Sequence, residues 1–326
     1  MRSANTRLLP PNQIPESLWA RASETLHLPA SLATAYAAHV DRLGLRTMAT
    51  TRPKEGGPVG GITKESADQH FAQAFDGSAA RALLAALDPK CEVASTSDAF
   101  VQSTAGAALA LTDAPCGAGA AALAFLTGVA ELRAQSVLPR LPLDVKFVGG
   151  ELSPHAIAHA EQLFHDLRAD LEAQAIFVDL QFHSWNVMDR VSTADLVKAS
   201  AVHGARCTSK LLVIANFNGF LIKEGKQKDA SPQLDELLRY ASGRESFAVW
   251  IEPEMNRTTA NGGLFSWLLS LVQGPWKHFA KADPTATKER PNFSTVARFG
   301  LPLQPGKTSR VTLAVMPIDL TRGIAS

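Results

Sequence analysis

Residues 112 to 119 read Thr-Asp-Ala-Pro-Cys-Gly-Ala-Gly, and they follow the short apolar run at 107–112 (AALALT). An Ala-rich segment with helical character begins at Gly119. A glycine turn at the carboxyl end of a strand lets the backbone approach a ligand closely, and the start of the next helix offers unpaired N–H groups. The sequence therefore predicts a nucleotide-like ligand beside the turn Asp113 to Gly119.

The pattern on both sides of this turn predicts an α/β protein. Five apolar runs alternate with helix-like segments, as expected of βα units around a parallel sheet. Two further runs flank Pro305-Gly306, a turn signal that predicts an antiparallel hairpin. We predict a Rossmann-like seven-stranded, mostly parallel sheet that ends in this hairpin. The predicted strands are 107–112, 145–149, 177–185, 210–215, 247–251, 295–302 and 310–316, and the helices between them are 119–135, 154–175, 192–203, 232–242 and 262–272.

The first hundred residues have a different texture, which is Ala-rich and helical. Predicted helices cover about 15–26, 29–44, 64–75 and 77–88, and a loop with four glycines and two prolines occupies 50–63. Serines provide candidate N-caps, two of them followed by a proline at the first helical position. The candidate caps are Ser31, Ser66, Ser153 and Ser231. We predict two parts, a helical extension at 1–100 and a ligand-binding domain at 101–326.

The composition excludes several classes of protein. Of 326 residues, 46% are apolar and the net charge is +1, which is typical of a globular chain and excludes a disordered one. The weakly apolar run 114–130 is interrupted by one proline and three glycines, so we expect no membrane contact. Three dispersed cysteines without a C-x-x-C pair argue against a disulfide framework or a zinc site, and we expect a cytoplasmic protein without a metal.

A second acidic position accompanies the turn. Glu151 ends the next predicted strand (VGGE), 32 residues after Gly119, where a carboxylate can accept hydrogen bonds from both hydroxyls of a ribose. In this order the sequence resembles the class I S-adenosylmethionine-dependent methyltransferases. Asp113 to Gly119 is similar to the first motif of that family, an acidic residue followed by Gly-x-Gly, and the family adds an antiparallel seventh strand to a Rossmann-like sheet.

The resemblance covers about 107–320 and implies S-adenosylmethionine as the cofactor. Asp113 would then lie near its methionine end, Gly117 and Gly119 would line its path, and Glu151 would hold the ribose. The position for adenine falls on Asn186, where relatives commonly have Asp, with Asp189 as second choice. Asn216 takes the position that faces the methyl group and the substrate. The remaining predicted cofactor contacts are Pro115, Cys116, Leu152 and Val187.

Several alternatives stay open. Residues 216–219 (NFNG) lack the prolines of the amine methyltransferases, so a catalytically silent interaction module is the second hypothesis. Residues 117–122 also fit the G-x-G-x-x-A of nicotinamide enzymes, although an acidic residue normally follows that motif by about 20 residues. No catalytic residue is assigned, and the methyl acceptor is RNA, protein or a small molecule. Residues 277–310 hold seven cationic side chains against two acidic ones, a charge that suits RNA.

Overall fold

The computed structural model describes residues 7–51, 61–253 and 294–321. These residues form one nine-stranded sheet with helices packed on both faces. The strands are Trp19–Ala20 (β1), Thr25–Leu26 (β2), Ala108–Asp113 (β3), Leu143–Glu151 (β4), Ile176–Ser184 (β5), Ser209–Ala215 (β6), Ser246–Glu252 (β7), Ser294–Gly300 (β8) and Thr308–Asp319 (β9). The helices are Ala30–Arg42 (α1), Arg46–Thr50 (α2), Lys64–Leu87 (α3), Ala94–Ser103 (α4), Ala120–Ala134 (α5), Pro154–Ala173 (α6), Arg190–His203 (α7), Asn218–Lys223 (α8) and Gln227–Ala241 (α9).

The strand order is β1-β2-β8-β9-β7-β6-β3-β4-β5. Strands β3 to β7 pair in parallel, whereas β9 runs antiparallel to both β7 and β8. The predicted α/β class, the mostly parallel sheet and the terminal hairpin are therefore confirmed. The predicted count of seven strands is wrong, because the described residues contain nine.

Both additional strands come from the N-terminal hundred residues, where a helix was predicted at 15–26. The chain instead forms the short hairpin β1–β2, with a left-handed Glu24 (φ 48°) before β2. Strand β2 pairs in parallel with β8, with Leu26 beside Phe299, and both side chains are buried. Backbone pairing with the open edge of β8 satisfies N–H and C=O groups that the edge would otherwise expose. This tertiary contact outweighs the helical pattern of the segment.

The helix predictions also differ from the structure. The two helices predicted at 64–75 and 77–88 are the single helix α3, which continues through Gly77 because its buried face packs along its length. Helix α9 begins at Gln227, not at residue 232, and the Ser231 hydroxyl donates to Gln227 O instead of capping the helix. The short helices α2, α4 and α8 were not predicted. The helix predicted at 262–272 lies outside the described residues.

The core lies on both faces of the sheet. On one face, helices α1, α3, α5 and α6 pack together with the strands, so the first hundred residues share the main hydrophobic cluster with the rest of the chain. Helices α7 and α9 cover the other face with a second cluster around Trp250 and Leu234. Among the helices that the structure describes, none combines the length and apolar character needed to cross a bilayer.

Candidate functional site

The predicted glycine turn lies at the carboxyl end of β3, the middle one of the five parallel strands. Strand β3 is hydrogen-bonded to β4 on one side and to β6 on the other. From β3 the chain continues to β4 and β5 towards one edge of the sheet, whereas from β6 it continues to β7 towards the other edge. The strand order therefore reverses between β3 and β6. In open α/β sheets, the crevice outside the carboxyl ends of the strands at such a reversal is where ligands bind. The turn 114–119 occupies this crevice.

Asp113 ends β3 and is completely buried. Neither of its carboxylate oxygens has a hydrogen-bond partner of normal geometry among the described residues. Burial raises the pKa of Asp113 to about 8, the charge of Glu151 adds to the rise, and the Ala122 N–H opposes it only in part. A buried carboxyl without a partner is costly to retain, which makes Asp113 a candidate for a functional group.

Two glycines shape the turn. Gly117 has φ 52° and Gly119 has φ 77°, a left-handed conformation that residues with a Cβ adopt at a cost. Gly119 directly precedes α5, and a Cβ there would contact Ala160 and Phe164, whereas a Cβ on Gly117 would have no atom of the described residues within 4 Å. Gly119 therefore serves packing, and Gly117 borders the space in which a ligand would lie.

Pro115 and Cys116 complete the turn. Pro115 is partly buried, and Cys116 is buried with its N–H donating to Gly150 O at 2.9 Å. Burial raises the pKa of the Cys116 thiol, which disfavours the nucleophilic thiolate. The structure thus gives Cys116 a packing position between the turn and β4.

Glu151 ties the two predicted motifs together. Its Oε2 accepts a hydrogen bond from Gly117 N at 3.0 Å, and its Oε1 accepts one from Ser153 N at 2.9 Å. Burial raises the pKa of Glu151, while these amide donors oppose the rise. Leu152 is 39% exposed beside it. The carboxylate predicted to bind a ribose therefore stands directly at the glycine turn.

The segment predicted to contact adenine follows β5. Asn186 Oδ1 accepts from Met188 N at 3.0 Å, so this amide stabilises its own turn. Val187 is buried in the second hydrophobic cluster. Asp189 accepts from Val191 N at 2.9 Å and is the N-cap of α7. Each side chain thus has a structural task, which leaves the predicted adenine contact without further support.

Asn216 follows β6 with a left-handed backbone (φ 56°), and its partner was not predicted. Arg81, on α3 of the N-terminal region, donates from Nε to Asn216 Oδ1 at 2.9 Å. Burial lowers the pKa of Arg81 to about 10, although the charges of Glu252 and Asp76 oppose this. One feature of the sequence could have pointed to Arg81, because it is the single cationic residue within the apolar stretch AARALLAAL at 79–87.

Glu252, at the end of β7, fixes the loop that holds Asn216. Its Oε1 accepts hydrogen bonds from Phe217 N at 2.9 Å, Asn218 N at 2.7 Å and Trp250 Nε1 at 2.7 Å. Burial raises the pKa of this carboxyl. Glu252 and Arg81 do not form an ion pair within 4.0 Å. Their charges still interact electrostatically at a longer distance.

Other candidate groups have contacts of their own. His159 contacts Asp68 and His39, and the described residues contain no group of three or more side chains suited to a metal. Of the basic segment 277–310, the structure describes 294–310. There Arg298 on β8 lies directly opposite Arg310 on β9, and both residues are exposed. Two like charges in directly opposite positions destabilise a pair of strands.

No protein-family model matches the sequence, and no curated protein matches it either. The chemistry of the site therefore rests on its own residues. An orphaned buried carboxyl, a glycine turn that borders open space and a second carboxylate at the turn suit a ligand with a cationic group and a ribose. The Arg81–Asn216 pair adds hydrogen-bond donors at the end of β6, the strand next to β3.

Proposed function

We propose that this protein is an S-adenosylmethionine-dependent methyltransferase of the Rossmann-like class. The observation that carries the proposal is the hydrogen bond from Gly117 N to Glu151 Oε2 at 3.0 Å. Two residues that the resemblance assigns to one cofactor, 34 positions apart in the chain, are in contact at the carboxyl end of the sheet. A tight turn without a ligand requires no such acidic neighbour.

The sheet supports the same proposal. Counted along the chain from β3, the five parallel strands lie in the order third, second, first, fourth, fifth, which is the order of doubly wound nucleotide-binding sheets. The antiparallel strand β9 lies between β7 and β8, in keeping with the antiparallel seventh strand of the methyltransferases. The hairpin β1–β2 extends the far edge and leaves this arrangement intact.

The residues of the crevice fit the cofactor by their chemistry. S-adenosylmethionine supplies a methyl group already activated by a sulfonium, so the protein has to align the acceptor and exclude water. Asp113 is buried and has no hydrogen-bond partner of normal geometry among the described residues, so an approaching cation would favour its ionised form. Glu151 exchanges the Gly117 amide for ribose hydroxyls, and Gly117 offers space that any side chain would fill. The resemblance assigns Asn216 to the position that faces the methyl group and the substrate, and Arg81 is hydrogen-bonded to it.

Calorimetry with S-adenosylhomocysteine tests the proposal. Gly117→Arg fills the open space beside the turn, and Glu151→Ala removes the carboxylate; both are expected to weaken binding at least tenfold. Ser136→Arg is the matched control, because it places the same side chain at a positive φ (59°) just beyond the far end of α5. Absence of binding to the unmodified protein at millimolar ligand would refute the proposal.

Transfer of tritiated methyl groups to fractionated lysate then identifies the acceptor. RNA, protein and small-molecule fractions are separated after incubation with the protein, and label is expected in one of them. Cofactor binding without label in any fraction would favour a silent methyltransferase-like interaction module instead.

A further inference from the structure

Arg81 and Asn216 together present hydrogen-bond donors to the proposed site. Terminal O and N atoms of an asparagine are hard to tell apart, but here the chemistry fixes them, because a guanidinium carries donors only. The atom of Asn216 that faces Arg81 Nε at 2.9 Å must be the acceptor Oδ1. The NH2 group of Asn216 is then the end left for a ligand.

The rest of the guanidinium has donors to spare. Arg81 Nη2 makes a long contact of 3.4 Å with Ser78 Oγ, and Nη1 has no hydrogen-bond partner among the described residues. Nη1 would lie 3.8 Å from a Cβ built on Gly77, and glycine has no side chain at that position to cover it. Both Arg81 and Asn216 are only partly buried.

The acids near Arg81 do not neutralise it by contact. Glu252 Oε1 already accepts three hydrogen bonds from its own surroundings, and Asp76 Oδ1 accepts one from Gly77 N. Among the described residues, the Arg81 guanidinium thus has no carboxylate in direct contact, and it lies next to the NH2 group of Asn216. Donors from these two groups match the two oxygens of a carboxylate.

We infer that Arg81 and Asn216 form a carboxylate-binding pair in the proposed methyltransferase site. This inference rests on the proposed function only for the identity of the ligand. The carboxylate belongs either to the methyl acceptor or to the methionine part of the cofactor. The pair makes Asn216 a donor to its ligand, the opposite of the acceptor role that would bind the N–H of an amine substrate.

An NMR titration of the 326-residue chain tests the pair directly. The side-chain amide signals of Asn216 and the Nε–H signal of Arg81 are followed with four probes: acetate, methylammonium, S-adenosylhomocysteine and 5′-methylthioadenosine, which lacks the amino-acid part. We expect acetate to shift these signals and methylammonium to leave them unchanged. A response to methylammonium alone, or to neither acetate nor S-adenosylhomocysteine, would overturn the inference.

The same titration separates the two sources of the carboxylate. If the acceptor supplies it, acetate shifts the signals in protein already saturated with S-adenosylhomocysteine. If the cofactor supplies it, S-adenosylhomocysteine shifts them and blocks acetate, whereas 5′-methylthioadenosine does neither. Failure of both nucleosides to bind would refute the proposed function, and the response to acetate would still decide the role of the pair.

Two variants sharpen the result. Asn216→Asp keeps the shape and the acceptor for Arg81 Nε but replaces the NH2 donor with a negative oxygen, so carboxylate affinity should fall about 10- to 100-fold. Arg81→Gln should lower it to a similar extent. Thermal unfolding checks that both variants are folded. Unchanged carboxylate affinity in the folded Asn216→Asp protein would contradict the assigned donor role.

Discussion

His39 Nε2 and His159 Nδ1 lie 3.1 Å apart, a contact that joins α1 of the N-terminal region to α6. The hydrogen bonds on either side show which of the two rings donates in this contact and which accepts. Arg42 Nη2 approaches His39 Nδ1 at 3.2 Å, and Asp68 Oδ1 lies 3.0 Å from His159 Nε2. Because Arg42 only donates and the carboxylate only accepts, both rings are neutral and each donates from Nε2. Protonation of His159 would set two N–H groups against each other.

Stability should therefore fall in mild acid. Burial lowers the pKa of His39 from 6.5 to about 4 and also lowers that of His159. Between these values the unfolded chain binds more protons than the folded one, so the free energy of unfolding decreases as the pH falls from about 6.5 and levels off below about 4. We expect His39 to account for about 3 kcal/mol of this loss. Urea unfolding over a series of pH values measures it.

His39→Gln tests the assignment, since a glutamine can donate to His159 and accept from Arg42 without titrating. The pH dependence of its stability between 4 and 6.5 should be shallower than that of the unmodified protein. His165→Gln, at an exposed position on α6, is the control. Equal slopes for His39→Gln and the unmodified protein would contradict the neutral chain of histidines.

Asp113 should lower the stability of the protein at neutral pH. With a pKa of about 8 in the folded state and an ordinary value of 3.8 in the unfolded state, the folded chain binds more protons between these values. The free energy of unfolding therefore falls as the pH rises from about 4 to about 8. Asp113→Asn removes the ionisable group, so its advantage over the unmodified protein should grow with pH, to about 1–3 kcal/mol at pH 8.

The same variant should lose ligand affinity, because an amide cannot balance the cationic group of the proposed cofactor. Chemical denaturation at pH 5 and pH 8, together with calorimetry, measures both effects. Asp98→Asn is the control, since Asp98 is a buried carboxylate that already accepts a hydrogen bond from Leu8 N at 3.1 Å. A stability advantage for Asp113→Asn that does not change with pH would show that Asp113 is ionised in the folded protein.

Arg7 should anchor the start of the described chain. Its Nη1 lies 3.1 Å from Asp88 Oδ2 and donates to Asp88 O at 2.9 Å, and both side chains are buried. Removing one member of a buried pair leaves the other charge without compensation, which costs about 3–5 kcal/mol. Arg7→Met is expected to lower the free energy of unfolding by about that amount, measured in urea.

The double variant Arg7→Met/Asp88→Asn distinguishes two effects of Arg7→Met. One is the loss of the attraction between Arg7 and Asp88, and the other is the cost of leaving the buried charge of Asp88 uncompensated. Asparagine tolerates the left-handed backbone of residue 88 (φ 42°) and keeps an acceptor for Glu92 N. The double variant should therefore be more stable than Arg7→Met alone. A double variant as unstable as the sum of both single changes would show that the pair is not coupled.

The strands and the glycine turn were predictable because their signals are local. Apolar runs mark β3 to β9, and Ser153 accepts a hydrogen bond from Ala156 N as the N-cap it was predicted to be. The hairpin β1–β2 was not predictable, since its stability comes from pairing with β8, more than 260 residues further along the chain. Local helical pattern carries no information about that edge.

The residues of the candidate site also fall into a predictable and an unpredictable group. Asp113 and Glu151 each end a recognisable strand, so their proximity follows from the rule that parallel strands end at one edge of the sheet. The contact between Arg81 and Asn216 spans 135 positions and joins a helix of the N-terminal region to a strand end. Only the packing of α3 against the sheet brings them together, and no spacing in the sequence encodes it.

Gly150 controls the position of Glu151 through packing. A Cβ built on Gly150 would lie 2.7 Å from Leu196 Cδ2, closer than side chains approach, and 3.2 Å from Ala114 Cβ, which is a tight contact. Gly150→Ala should therefore lower the free energy of unfolding by about 1–3 kcal/mol. Because Gly150 O also accepts from Cys116 N, the shift should displace the glycine turn from Glu151 and weaken S-adenosylhomocysteine binding.

A second change tests the steric cause. Leu196→Ala alone opens a cavity and costs about 2–5 kcal/mol, but combined with Gly150→Ala it makes room for the new methyl group. The combined loss should then be smaller than the sum by at least about 1 kcal/mol, and ligand affinity should partly return. Gly219→Ala is the control, because a Cβ there meets nothing within 4 Å. Simple additivity of Gly150→Ala and Leu196→Ala would mean that Leu196 is not what excludes a side chain at position 150.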